Sequence, residues 1–567
     1  MKNKIIFIIF LFALTSCNDD FMDRYPKDAL SDPMFWSSPD DLESFANQFY
    51  PLLTTRGQHD FNWLIQMDDQ SDNKCTGTPL PWLFGQDVPA ATSGYWNAGA
   101  WSTIRATNYF LSRYEKVEGD AIKIASYVGE VRFFRAWEYY KKVRIFGDVP
   151  WIDKDLGTND DEYLYKPRDS RKVVMDHVLD DLDYAIENLY EPSKVPQGRI
   201  HKYVALAFKS RVCLYEASYR KYHNLGEYEK FYMEAREAAK AIMSSGMYSL
   251  YTTENPHKDY YDLFIQSDLR GNKESILCMV YLTNILNTYT SHYTEANGYV
   301  GFTKDFAESY LCADGKPISI SPLYLGDDSL EMEMTNRDLR FRQTIDNKSF
   351  PYKITNEGPI YNKYPRVNIL CPTGYLQIKG HSPLGSEYEY GLGINDRFIF
   401  RYAEVLLNYA EATAELELGG ITQDDLDESI NLLRERVGLP KLTVPIGFSD
   451  PNWPDYGYDL SPLLHEIRRE RRVELVSEDF RWDDIVRWKA GKLFENPKTL
   501  VGIRVTPEWK DQLPGDLFED RKFTNDYLLQ TYNDIISRDW NDKLYLRWIP
   551  LEEIALSRGN LVQNPGW

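Results

Sequence analysis

The chain has 567 residues, 43% hydrophobic and 27% charged, which describes a globular protein with ample length for a large core and excludes a disordered one. Its formal charge of −21 disfavours nucleic acid and anionic lipid, and leaves a neutral or cationic ligand as the easier partner. Aromatic residues reach 14%, with 41 tyrosines and 14 tryptophans. Their flat apolar faces and polar tips suit sugars, although most of them are expected to serve packing.

The first element is a leader. Lys2 and Lys4 precede an unbroken apolar run from Ile5 to Leu14, which fits a signal peptide and is too short to span a bilayer. The run ends in Leu14-Thr15-Ser16-Cys17, the spacing of a bacterial lipobox. It predicts that residues 1–16 are a cleaved signal peptide and that Cys17 is lipidated. Several acyl chains anchor stably where one binds marginally. The cut removes two lysines and no acids, leaving a charge of −23. Asn18-Asp19-Asp20 resembles the acidic tag that carries some Gram-negative lipoproteins to the cell surface. Residues 17–40 are expected to form the lipidated N-terminus and tether, ending in a first short helix near residue 50, and residues 41–567 to form one domain. No later apolar run approaches the length of about 18 residues that a transmembrane helix needs.

A helical block is expected over about 98–245. In 124–143, Ile124, Tyr127, Val128, Val131 and Phe134 keep helical spacing, and Phe133, Trp137 and Tyr140 add a second stripe. Two stripes mean a helix buried between neighbours. Gly147-Asp148-Val149-Pro150 should stop it. Helices are also expected at 170–190, 202–221 and 227–245. Ala205, Ala207, Ala235, Ala238 and Ala239 among bulky residues suggest closely packed helical pairs of the tetratricopeptide kind. Over about 247–400 the periodicity fades and the region reads as loop-rich and ligand-facing, with short strands such as Ile276–Val280. A second helical block and an irregular aromatic tail are expected over about 398–567, with helices at 398–418, 424–437 and 462–478. The fold class is therefore mainly α, a TPR-like α/α superhelix carrying a loop-rich insertion with minor β structure.

Chemistry is sparse. None of the eight histidines is paired at helical i, i+4 spacing, and neither a GxSxG elbow nor a Walker loop occurs. Gly391-Leu392-Gly393 reads as a turn. The conspicuous acids lie in helices beside arginines, as in Glu130 with Arg132–Arg135 and Arg471 with Glu474, and read as helix salt bridges. Cys75, Cys213, Cys278, Cys312 and Cys371 are odd in number and widely spaced, so neither a disulfide framework nor a zinc site is expected. No catalytic residue, metal or cofactor is predicted.

Taken in order, several motifs resemble the SusD/RagB family of outer-membrane nutrient-binding lipoproteins. They include Trp101-x-x-Ile104-Arg105-x-x-Asn108, Gly129 to Ala136, Phe146 to Pro150, Asp314 to Pro317 and Asn336 to Asp338. Arg401 to Ala412, Asn431 to Leu439, Glu470 to Leu475, Arg481-Trp482-x-Asp484 and the closing Gln563 to Trp567 follow. Trp567 stands where a tyrosine is commoner. The resemblance implies a lipid-anchored, surface-exposed protein of the outer membrane. It would capture an oligosaccharide without hydrolysing it and deliver it to a TonB-dependent transporter of the SusC type. The RagB branch implies a peptide as the alternative ligand.

These motifs are scaffold motifs and do not locate a ligand. Side-chain chemistry points to Asp72, Asn73, Trp82, Trp96 and Asn97 upstream of the first long helix, and to Tyr289, His292, Tyr293 and Tyr299 in the insertion. Trp101 is assigned to packing.

Overall fold

The structure is a computed structural model that describes residues 35–53, 59–60, 67–296, 299–367, 370–416, 420–535 and 537–567. The leader, Cys17 and Asn18-Asp19-Asp20 lie outside the described residues.

Six helices build the first block: α1 (Pro39–Ala46), α2 (Ser102–Leu111), α3 (Ala121–Phe146), α4 (Arg171–Asn188), α5 (Lys202–Tyr222) and α6 (Glu229–Ser244). Helix α3 begins where the Asp120 carboxylate accepts the free N–H groups of Ile122 and Lys123. It ends at Gly147, whose φ of +73° turns the chain out of the helix. Most of both stripes is buried: Phe134 packs on Phe49 and Tyr50, Phe133 packs on Phe208 of α5, and α4 and α2 flank the helix. The small residues expected to let α5 and α6 approach, Ala205, Ala207, Ala235, Ala238 and Ala239, are all buried there.

Short strands from the upstream loops and the insertion pair two by two. Parallel β1 (His59–Asp60) and β4 (Asn287–Thr288) join first, then antiparallel β2 (Lys74–Thr76) and β5 (Val300–Phe302). Strand β3 (Ser275–Met279) lies antiparallel to β8 (Arg397–Arg401), and β6 (Lys353–Thr355) forms a hairpin with β7 (Gly358–Ile360). Helix α7 (Thr290–Ala296) follows β4. In the second block, α8 (Tyr402–Glu415) packs on α5, α6 and α9 (Pro462–Glu474), so both blocks share one hydrophobic core. Among the described residues no helix is long and apolar enough to cross a membrane.

Three boundaries differ from expectation. The helix expected from 398 begins at Tyr402, because Arg397–Arg401 is drawn into pairing with β3. The helix at 424–437 is two, Gln423–Asp427 and Ile430–Arg436. The helix at 462–478 stops at Glu474, just before Ser477 and Asp479 turn to φ of +62° and +67°. Among the described residues Cys75, Cys213, Cys278, Cys312 and Cys371 form no disulfide; four of them are buried and Cys278 is half-buried.

The arginines and acids singled out in the sequence, Glu130, Arg135, Arg471 and Glu474, pair with partners from other elements and not with one another along their own helix. Glu474 meets Arg340 at 2.9 Å, Arg401 at 2.8 Å and Arg436 at 2.7 Å. Arg471 turns instead to Asp484 at 2.9 Å and Asn408 at 2.8 Å. Likewise Glu130 takes Arg199 and Arg135 takes Asp181, both at 2.7 Å. Charges this deep need close partners from every side, which a single helix face cannot supply. Burial works to raise the Glu474 carboxyl, but Arg436, Arg401 and Arg340 outweigh it and hold the group well below the usual range.

Candidate functional site

The two loop regions singled out in the sequence do meet. Thr76 lies opposite Val300 and Lys74 opposite Phe302, and the Gly77 N–H donates to the Tyr299 carbonyl at 2.7 Å. Their side chains divide sharply between core and surface.

Of the five upstream candidates, Asp72, Asn73 and Trp96 are buried, and Trp82 and Asn97 are half-buried. Asp72 is fully buried and accepts two hydrogen bonds from Arg481, both at 2.7 Å, with Arg472 at 3.2 Å. Asn73 donates to Asp68 at 3.1 Å and accepts from Arg472 at 2.7 Å. Trp96, 4% exposed, stands edge-on to Phe146 at 4.8 Å and to Trp101 at 5.4 Å. Asn97 accepts the Ala100 N–H at 2.8 Å and donates to the Ser93 carbonyl at 3.0 Å. Trp82 is half-buried, edge-on to Trp482 at 5.0 Å. Asp72, Asn73 and Trp96 have their polar or aromatic surface committed to neighbours, while Trp82 and Asn97 keep part of theirs open.

The insertion candidates lie differently. Tyr289 precedes α7 and His292 sits in its first turn, and both rings meet Tyr390, at 4.9 Å and 5.3 Å, edge to face. Tyr390 is 61% exposed while Tyr289 beneath it is 3% exposed, so Tyr390 offers an open face supported from below. The His292 Nδ1 lies 3.2 Å from the Tyr388 carbonyl, which fixes the imidazole. Tyr299 is exposed beside β2, at a φ of +51°. The side chain of Tyr293 lies outside those described.

Backbone geometry explains why Tyr390 sits there. Gly391 has a φ of +75°, and a Cβ on Gly393 would stand 2.5 Å from the Thr288 carbonyl oxygen. The Thr288 N–H donates to the Gly393 carbonyl at 2.8 Å, folding the 389–393 loop back over Tyr289. Below the loop, the buried Glu387 accepts the Ile394 N–H at 2.8 Å; burial raises its carboxyl pKa against that bond. Leu392, Leu384 and Ile354 are exposed along the same loop and the adjoining hairpin, and Lys353 lies 4.4 Å over the Tyr388 ring. An open phenol face with an imidazole and hydroxyls at its edge can stack a flat apolar surface and hydrogen-bond its rim. Tyr390 was absent from the sequence candidates. Its signal was the run Tyr388-Glu389-Tyr390 directly before the Gly391-Leu392-Gly393 turn, where tight backbone forces an aromatic outward.

This mainly helical scaffold with its loop-rich insertion has solved counterparts. A SusD-like protein from Bacteroides fragilis superposes with a TM-score of 0.70 at 25% identity, covering 96% of this chain and all of that one. Residues 266–567 match the model of the SusD family, and residues 20–214 match a second model described as starch-binding associating with outer membrane. The chain therefore belongs to the SusD family. "SusD-like protein P2" of Formosa agariphila is 26% identical over 520 residues, 88% of this chain and 93% of that protein. The "Starch-binding protein SusD" of Bacteroides thetaiotaomicron is 25% identical over 299 residues, 47% of this chain and 49% of that protein.

Proposed function

We propose that this protein captures an oligosaccharide at the outer surface of the outer membrane and passes it to a SusC-like TonB-dependent transporter. The Tyr390 face, propped by Tyr289 and His292, is the observation that carries the reading. Family membership supports it, as does the starch-binding description of the matching model. Cys17 would anchor the chain by lipid, leaving the scaffold free to move over the channel. Binding without hydrolysis is favoured by the state of the conspicuous acids: Glu130, Glu470 and Glu474 are each neutralised by arginine and held in the scaffold.

Affinity electrophoresis and calorimetry against a glycan panel test this, with Tyr390→Ala beside the unaltered protein. At least one glycan should bind, and the variant should lose affinity at least tenfold, about 1.4 kcal/mol. Binding to no glycan would reject carbohydrate as the ligand, and undiminished binding by Tyr390→Ala would reject this face as the site. A peptide ligand, as in the RagB branch, is the second reading, and the charge of −21 favours basic peptides. Mass spectrometry of ligands copurified from the native outer membrane separates the two.

A further inference from the structure

A cavity of about 650 Å3 opens where the loops 328–332, 346–348 and 362–365 meet the stretch 506–513. Two aromatic rings line it. Tyr364 is 41% exposed, and Trp509 rests on the hydrophobic cluster that contains Phe302, Phe341 and Ile503 while keeping part of its surface open. The Trp509 indole N–H has no partner among the described residues.

The polar groups along the wall are held in place. Asp346 is buried there, and one of its oxygens accepts a hydrogen bond from the Asn362 amide at 2.5 Å. A carboxylate takes only the NH2 side of an amide, so this bond fixes which way Asn362 faces. The carbonyl and the second N–H of that amide have no partner among the described residues. The neighbouring backbone is pinned as well. Asn347 donates to the Arg342 and Ile345 carbonyls, both at 2.6 Å, and the Asp346 N–H donates to the Leu376 carbonyl at 2.8 Å. Gln512 donates to the Glu508 carbonyl at 2.9 Å, which leaves its own carbonyl open.

Charge narrows what such a cavity takes. Lys348 and Lys363 have no ion pair among the described residues, and neither have Asp328 and Glu508, so opposite charges on the rim balance. The other acids are engaged: Glu331 pairs with Arg342 at 2.7 Å, and Asp346 has the positive charge of Arg366 nearby. A balanced rim gives no advantage to an anion or a cation. Ring faces beside fixed amide donors and acceptors suit a neutral ring with apolar C–H faces and vicinal hydroxyls.

We propose that this cavity is a second carbohydrate site, in which neutral sugar units stack on Tyr364 and Trp509 and hydrogen-bond to Asn362. Its volume lies in the range of small-molecule pockets. The inference rests on the glycan reading for its ligand class, but the cavity shares no residue with the Tyr390 face.

Fluorine NMR of the chain from Cys17 onward, labelled with fluorotryptophan, reads this site by itself; the Trp509 resonance is the one lost in Trp509→Phe. The probes are maltotriose, cellotriose, xylotriose, mannotriose and laminaritriose, with a tryptic digest of casein as the peptide control. At least one trisaccharide should shift the Trp509 resonance saturably. Its affinity should be unchanged in Tyr390→Ala and at least tenfold weaker in Tyr364→Ala, whose exposed side chain can be removed without opening the core. No shift with any trisaccharide, a shift with peptides alone, a shift abolished by Tyr390→Ala, or one unchanged in Tyr364→Ala overturns the second site. Failure of the Tyr390 face to bind glycan leaves the Trp509 titration as it was, so the two readings fail separately.

Discussion

Replacing Glu474 by glutamine keeps the shape of the side chain and removes the charge that Arg340, Arg401 and Arg436 share. Breaking a buried ion pair by neutralising one partner costs about 3–5 kcal/mol, because the remaining charges stay desolvated. An unfolding entropy of about 2.1 cal/mol/K per residue, over 567 residues, gives about 1.2 kcal/mol/K for cooperative unfolding. The loss should therefore lower Tm by about 3–4 °C at pH 7, read by scanning calorimetry. The pH dependence carries the mechanism. The folded carboxyl is depressed and an unfolded glutamate titrates near about 4.3, so the stabilisation is complete above that value. Below it the unfolded chain takes up a proton first, and the stabilisation erodes as pH falls toward the folded pKa. At pH 3.5 the gap between the two proteins should have narrowed by about 1 kcal/mol. A Glu474→Gln protein that melts within 1 °C of the original at pH 7 would refute the shared-charge account. A gap unchanged at pH 3.5 would show that its origin is packing and not charge.

Other consequences are as direct. Trp96→Ala should cost about 3–5 kcal/mol of stability and leave glycan affinity per folded molecule unchanged, measured by calorimetry beside thermal unfolding. Gly393→Ala should displace the 389–393 loop from the Thr288 carbonyl and weaken glycan binding, at about 1–3 kcal/mol of stability; unaltered binding would mean that Tyr390 is not positioned by this turn. Cys17→Ala should move the protein out of the membrane fraction while glycan binding in solution persists, and loss of ligand in that soluble protein would contradict the tether.

Helices were legible in the sequence because their signals are local. Asp120 and Gly147 mark the ends of α3 within a few residues, and the stripes between them repeat along one segment. Strand β8 carried no such signal: its register depends on β3, more than a hundred residues earlier, so Arg397–Arg401 looked like the start of the helix that follows. The site divided for the same reason. Asp72 and Trp96 have the chemistry of sugar-binding residues, but burial is decided by Arg481 and Phe146, which no local pattern reveals. Tyr289 and His292 were recognisable by type, whereas Tyr390 acquires its role from two glycines that fold its loop over them.

The buried thiols offer a way to watch this fold open. Burial pushes the Cys371 thiol up to about 11 and raises those of Cys213 and Cys75, leaving little thiolate to react at neutral pH. Cys213 lies in α5, Cys75 in β2 beside Thr499, and Cys371 against Gly301 of β5. A thiol reagent can reach each only after its own neighbourhood has come apart. The order in which the sulfurs react would therefore rank the helical pairs and the loop face by how often each breathes, with no label added to the native chain.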